Sequence, residues 1–152
     1  MLLSRNFTLE ELTFSQTATR LGIDNTPSAE VIANLQRLCQ EVLQPLRDLV
    51  GVPVIVTSGY RSPELNRAIG GAPNSAHMQG RAADIVVPSF GTPRDVIERM
   101  AAAELPYDKA ILEFGRWTHV QIAQGTASPR RLIYTALRQD GQVSYLPGLV
   151  IA

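Results

Sequence analysis

The chain has 152 residues, 45% of them hydrophobic and 18% charged, with 14 basic and 14 acidic side chains and a formal net charge of zero. That length fits one domain over residues 1–152. The composition excludes a disordered or collagen-like chain, and the charge balance argues against a surface built to grip nucleic acid. The apolar runs Val52–Val56 and Leu146–Ala152 fall far short of the ~20 residues that cross a bilayer, so no membrane insertion is expected. Cys39 is the single cysteine, which rules out an intramolecular disulfide and a thiolate zinc cluster. Met1–Phe14 carries Glu10 and Glu11 and lacks the apolar stretch of roughly 7–15 residues of a signal peptide. Synthesis in the cytoplasm as a monomer is the expectation.

Thr8-Leu-Glu-Glu11 is a capping box that starts a short helix. Ser28 caps a longer one. Val31, Leu35, Leu38, Val42, Leu46 and Leu49 form one apolar stripe, which predicts a helix from about Ala29 to Val50, kinked at Pro45 and ended by Gly51. Val52–Thr57 reads as a strand. Ser62-Pro63 opens a short helix that stops at Gly70-Gly71, and residues 72–80 read as a loop. Ala82–Val87 is a second strand, and Thr92-Pro93 opens a helix to about Ala103. Tyr107–Phe114 and Trp117–Ala123 form a hairpin around Gly115-Arg116. Arg131–Leu137 and Gln142–Leu146 flank the turn signal Gln139-Asp-Gly141 and form another hairpin or a tail pair. The order predicts an α+β fold, a mostly antiparallel sheet backed by helices.

Two histidines stand out in this chain, His77 and His119. His77 lies in the predicted loop, seven positions before Asp84 at the start of a strand. Gly80 permits a tight reversal between them, and Ala82 and Ala83 permit close packing. An imidazole and a carboxylate brought together in this way can fill two positions of a metal site. His119 shares a strand face with Trp117 and Gln121. Read separately, each is better explained as a hydrogen-bonded core histidine or a turn or cap aspartate. Spacing alone does not bring the two segments together.

Ser75-x-His77-x-x-Gly80-x-Ala82-x-Asp84 followed by Trp117-x-His119 resembles the zinc D-alanyl-D-alanine peptidase family, which shares its fold with the Hedgehog signalling domain. The resemblance is greatest to the subgroup often found in bacteriophage lysins. It extends to Asn6–Leu12, Gly22–Pro27, Leu43–Arg47, Thr57–Asn66 and Gly70-Gly71, about residues 5–147 in all. It implies a Hedgehog/D,D-peptidase-like fold with one zinc ion per chain in a cleft, held by His77, Asp84 and His119. Zinc takes imidazole nitrogen and carboxylate oxygen at ~2.0–2.2 Å, and three protein ligands leave one position open for catalysis.

Such chemistry needs a carboxylate base. Many relatives place it three residues before the last histidine, where this chain has Arg116. The Hedgehog-like and phage-type relatives place it six before, at Glu113, with Asp108 as the alternative. The resemblance also implies that Arg61 reads a substrate carboxylate or stabilises an oxyanion, for which a guanidinium fork is suited. Pairing with Glu64 or capping a helix is its structural alternative. Ser75 and Trp117 are candidate substrate contacts, Ser75 equally a residue that shapes the loop.

The implied function is a zinc peptidase cleaving the stem or cross-link peptides of bacterial peptidoglycan. A D-Ala-D-Ala carboxypeptidase or a related endopeptidase fits, as a phage lysin acting at the wall after release or as part of a phage particle. The alternative is a catalytically inactive zinc-containing module for wall binding or virion structure.

Overall fold

The computed structural model describes residues 1–150. The last two residues of the single domain expected over 1–152, with the end of the Leu146–Ala152 run, lie outside the described residues.

A small hairpin, β1 (Leu2–Ser4) and β2 (Phe7–Thr8), opens the chain. Helix α1 (Leu9–Thr13) follows, with Thr8 and Glu11 forming the expected reciprocal cap. Helix α2 (Gln16–Leu21), which the sequence reading did not include, is capped by Ser15 and ended by Gly22 at φ 69°. Asn25 then ties this region to the rest of the molecule. Its amide donates to the carbonyls of Thr13 (2.9 Å) and Tyr60 (3.0 Å), and its oxygen accepts from the Ser62 amide (2.7 Å).

The long helix is built differently from expectation. Helix α3 (Ala29–Leu38) runs through a π-helical turn, Cys39–Leu43, into α4 (Gln44–Val50). Pro45 has no amide hydrogen to give the carbonyl four residues back. The widened turn lies just upstream, where the Gln44 amide bonds to Cys39 oxygen five residues back. One extra residue per turn rotates everything downstream. The predicted stripe therefore shifts: Leu43, Leu46 and Val50 face the core, whereas Leu49 is 37% exposed.

Strand β3 (Ile55–Ser58) starts three residues later than predicted, leaving Pro53 outside the ladder, where its missing donor does no harm. Helix α5 (Pro63–Ala68) follows. Residues 72–80 are not all loop: Ala76–Gln79 form a 3₁₀ turn, capped by Ser75 and closed by Gly80 at φ 73°. Strand β4 (Ala82–Val86), helix α6 (Pro93–Ala102) and strands β5 (Lys109–Glu113), β6 (Trp117–Gln121), β7 (Leu132–Gln139) and β8 (Gln142–Pro147) complete the fold.

The six strands β3 to β8 lie in the order β3-β4-β6-β5-β7-β8. All pairs are antiparallel except β5–β7: β6 ends beside the start of β5, residues 122–131 cross past β5 at that end, and β7 then runs alongside β5 in the same direction. The sheet is thus mixed, and α+β describes the fold. Its two faces differ in chemistry. Ala83, Ile85, Ala110, Leu112 and Val120 alternate onto one face and are buried in a core shared with Leu35, Leu38, Val96 and Met100 from the helices. Burial of each large aliphatic side chain there stabilises the fold by ~1.5–3 kcal/mol. Asp84, Lys109, Ile111, Glu113, Trp117, His119 and Tyr134 alternate onto the other face, which forms the floor of a cleft of about 680 Å³.

Candidate metal centre

The 3₁₀ turn and the two central strands bring His77, Asp84 and His119 together. Asp84 on β4 is registered opposite His119 on β6, so their side chains project from one face of the sheet. His77 enters from above on its 3₁₀ turn, whose Ser75 hydroxyl accepts from the His77 amide at 3.2 Å. All three residues are buried, and one ligand atom from each lies within 4.8 Å of the others.

Hydrogen bonds to the far side of each ring fix which nitrogen faces the centre. His77 Nδ1 donates to the Gly59 carbonyl oxygen at 2.7 Å, leaving Nε2 with its lone pair. His119 Nε2 donates to Gln121 Oε1 at 2.8 Å, leaving Nδ1 with its lone pair. Those two nitrogens lie 3.3 and 3.2 Å from Asp84 Oδ1. Three potential ligand atoms thus converge on one point, a set that a cation can hold together. Two of the separations match the ~3.3 Å edge of a tetrahedron with ~2.0 Å bonds. The donor set, two neutral imidazoles and one carboxylate, fits zinc.

Burial raises the Asp84 carboxyl, but hydrogen bonds and charge from His119 and His77 outweigh it and hold it well below the usual range. Burial pushes the His77 imidazole down, against the pull of Asp84, and so keeps it neutral. At His119 burial pushes the imidazole down but is outweighed by Asp84, Gln121 and Glu113, so its pKa is raised.

Arg61 lies beside the centre but is not a free substrate hook. Its guanidinium donates to Asp84 Oδ2 (3.4 Å), Ser58 Oγ (3.2 Å) and Asn66 Oδ1 (3.4 Å). It therefore holds the outer oxygen of Asp84, in a role distinct from the Glu64 pairing weighed as its structural alternative. Ser75 shapes the turn and also lines the cleft.

Glu113 sits two residues along β5 from Ile111, the partner of His119, and faces the same cleft. The three-residue turn Phe114–Arg116, with positive φ at Phe114 (55°) and Gly115 (67°), aligns Glu113 opposite Trp117. Burial raises the Glu113 carboxyl, with Asp84 adding to the effect and His119 and Arg61 opposing it. Trp117 meets Phe114 edge to face at 5.8 Å, at the cleft wall.

Asp108, the alternative base, is elsewhere. It is bound by Arg130 through Nη2 (2.7 Å), Nε (3.0 Å) and the backbone amide (3.1 Å). It precedes β5 with the opposite parity to Glu113, so the strand alternation turns it away from the cleft.

Gly59 and Gln121, which orient the two imidazoles, were not read as site residues, nor were Lys109, Tyr134, Arg138 and Tyr145 of the cleft lining. Gln121 alone carried a signal, its alternation with His119 on one strand face.

Comparison with known proteins places the chain in a family. A 50-residue segment is 46% identical to the zinc D-Ala-D-Ala carboxypeptidase of Streptomyces albus G, and that match covers 32% of this chain and 20% of the relative. The model of the family described as Peptidase M15 matches residues 5–121, a span that includes His77, Asp84, His119 and Glu113. The chain belongs to the peptidase M15 family.

Proposed function

We propose that this protein is a zinc-dependent peptidase that hydrolyses peptide bonds in bacterial peptidoglycan, with His77, Asp84 and His119 as the metal ligands. The observation that carries the reading is the convergence of three lone-pair donors, each oriented from behind, in the floor of an open cleft. A bound zinc supplies Lewis acidity toward a carbonyl oxygen and toward water.

The chain's own residues supply the rest. Glu113, partly shielded from solvent, accepts a proton from the attacking water and returns it to the leaving amine. Arg61 keeps Asp84 oriented, and its remaining donor capacity faces the cleft, where it serves a substrate carboxylate or a developing oxyanion. Trp117 and Ser75 contact the peptide at the cleft wall. Arg61→Lys keeps the charge but loses the fork, so catalytic efficiency falls; an unchanged value in both Arg61→Lys and Arg61→Ala returns the residue to a purely structural role.

Within this reading the substrates are D-Ala-D-Ala-terminated stems or cross-linked peptides, and the similarity to the phage-type subgroup supports a lysin. The test is incubation of zinc-loaded protein with synthetic stem pentapeptides and cross-linked dimers. Release of free D-alanine identifies a carboxypeptidase, and separation of dimers identifies an endopeptidase. If both stay intact with zinc bound, the enzymatic reading fails and a binding module takes its place.

A further inference from the structure

The cleft carries four cationic side chains, and three are accounted for. Arg61 is held by Asp84, Ser58 and Asn66. Arg81 donates to Gln79 Oε1 (2.6 Å) and the Ile122 carbonyl (2.7 Å). Arg138 is exposed and stacks 5.5 Å over the Phe114 ring. Lys109 is different. It is half-buried, and no carboxylate among the described residues pairs with it. Its ammonium lies 5.8 Å from the centre of the Tyr134 ring. An ammonium with no carboxylate salt-bridge partner leaves its charge available to an anionic ligand in the cleft.

Its place on the sheet defines what it can read. Lys109, Ile111 and Glu113 alternate onto the cleft face of β5, and Ile111 is registered with His119. Lys109 and Glu113 therefore flank the metal donors on opposite sides, each about 6.6 Å along the strand. Tyr134, which supports the ammonium, comes from β7, beyond the residues matched by the family model. The C-terminal hairpin thus builds this corner of the cleft.

We propose that Lys109, backed by Tyr134, is a specificity-determining residue that binds a carboxylate of the substrate peptide on the side of the scissile bond opposite Glu113. The inference rests on the peptide-hydrolase reading above. A charge-assisted contact of this kind is worth roughly 10–100-fold in catalytic efficiency.

The experiment uses zinc-loaded protein and a panel of synthetic stem peptides in which each carboxylate is amidated in turn. For wild type, one amidation should lower kcat/KM roughly 10–100-fold. Lys109→Met should lose the same factor on the unmodified peptide and be insensitive to that one amidation, with its zinc content unchanged. Lys109→Arg should restore most of the discrimination. Equal response of wild type and Lys109→Met to every amidation overturns the proposal. If wild type cleaves no peptide, the hydrolase reading has failed, and calorimetric binding of the same panel decides about Lys109. Amide-sensitive binding that Lys109→Met abolishes supports it, and binding of wild type and Lys109→Met alike, or none, overturns it.

Discussion

Asp84 and His119 are direct partners across the β4–β6 ladder, with Oδ1 and Nδ1 3.2 Å apart. Two central strands of one sheet hold this pair, so its geometry is set by the ladder and does not depend on loops. His77 completes the set from its 3₁₀ turn. Replacement of either histidine with alanine should abolish stoichiometric zinc binding, because two protein ligands do not hold zinc against water. Metal analysis of His77→Ala, His119→Ala and the double variant checks this. Full occupancy in the double variant places the metal elsewhere.

Glu113 faces the cleft without belonging to the convergent donor set. Glu113→Gln preserves shape and removes basicity. Zinc content should stay the same while turnover drops on the order of 10²–10⁴-fold. Asp108→Asn should instead lower stability with turnover per folded molecule unchanged, since Asp108 anchors Arg130. The opposite pattern in the two variants moves the base to Asp108.

Gln121 fixes the His119 ring through the 2.8 Å bond from Nε2. Gln121→Leu removes that acceptor without touching a ligand. Zinc affinity should fall ~10–100-fold with the fold intact, the range typical of residues that orient metal ligands. Competition with a chelator of known affinity measures it, and an unchanged affinity would show that the ring is held by the ladder alone.

The legible part of this molecule was its local chemistry. The caps at Thr8, Ser28, Ser62 and Thr92 are local hydrogen bonds that a few neighbouring residues determine, and all form. The three convergent residues were legible through a recurring segment pattern and not through spacing. What escaped depends on distant partners. The parallel β5–β7 pair is decided by residues 122–131 crossing past β5 at the end where β6 finishes. Asp108 stands as an alternative to Glu113 in sequence because its partner, Arg130, is 22 residues away. Gly59 is an ordinary residue in sequence whose role follows from a ring that arrives 18 positions later.

Gly59 also makes a direct prediction. A Cβ there would lie 2.2 Å from the Leu12 carbonyl oxygen, which accepts the Tyr60 amide at 2.7 Å. Gly59→Ala must push the β3–α5 connection away from α1, and the Gly59 carbonyl away from His77. Stability should fall by ~1–3 kcal/mol, and zinc affinity should fall with it. A denaturant melt with unchanged midpoint would show that α1 yields without cost.

The central claim is that these three donors, with Glu113 beside them, hydrolyse peptidoglycan peptides. The most direct measurement is mass spectrometry of muropeptides from purified sacculi treated with zinc-loaded wild type, chelator-stripped protein and zinc-loaded Glu113→Gln. The account predicts new stem-peptide fragments with wild type and none with the other two. Intact sacculi under fully zinc-loaded wild type, or equal cleavage by all three, would contradict it.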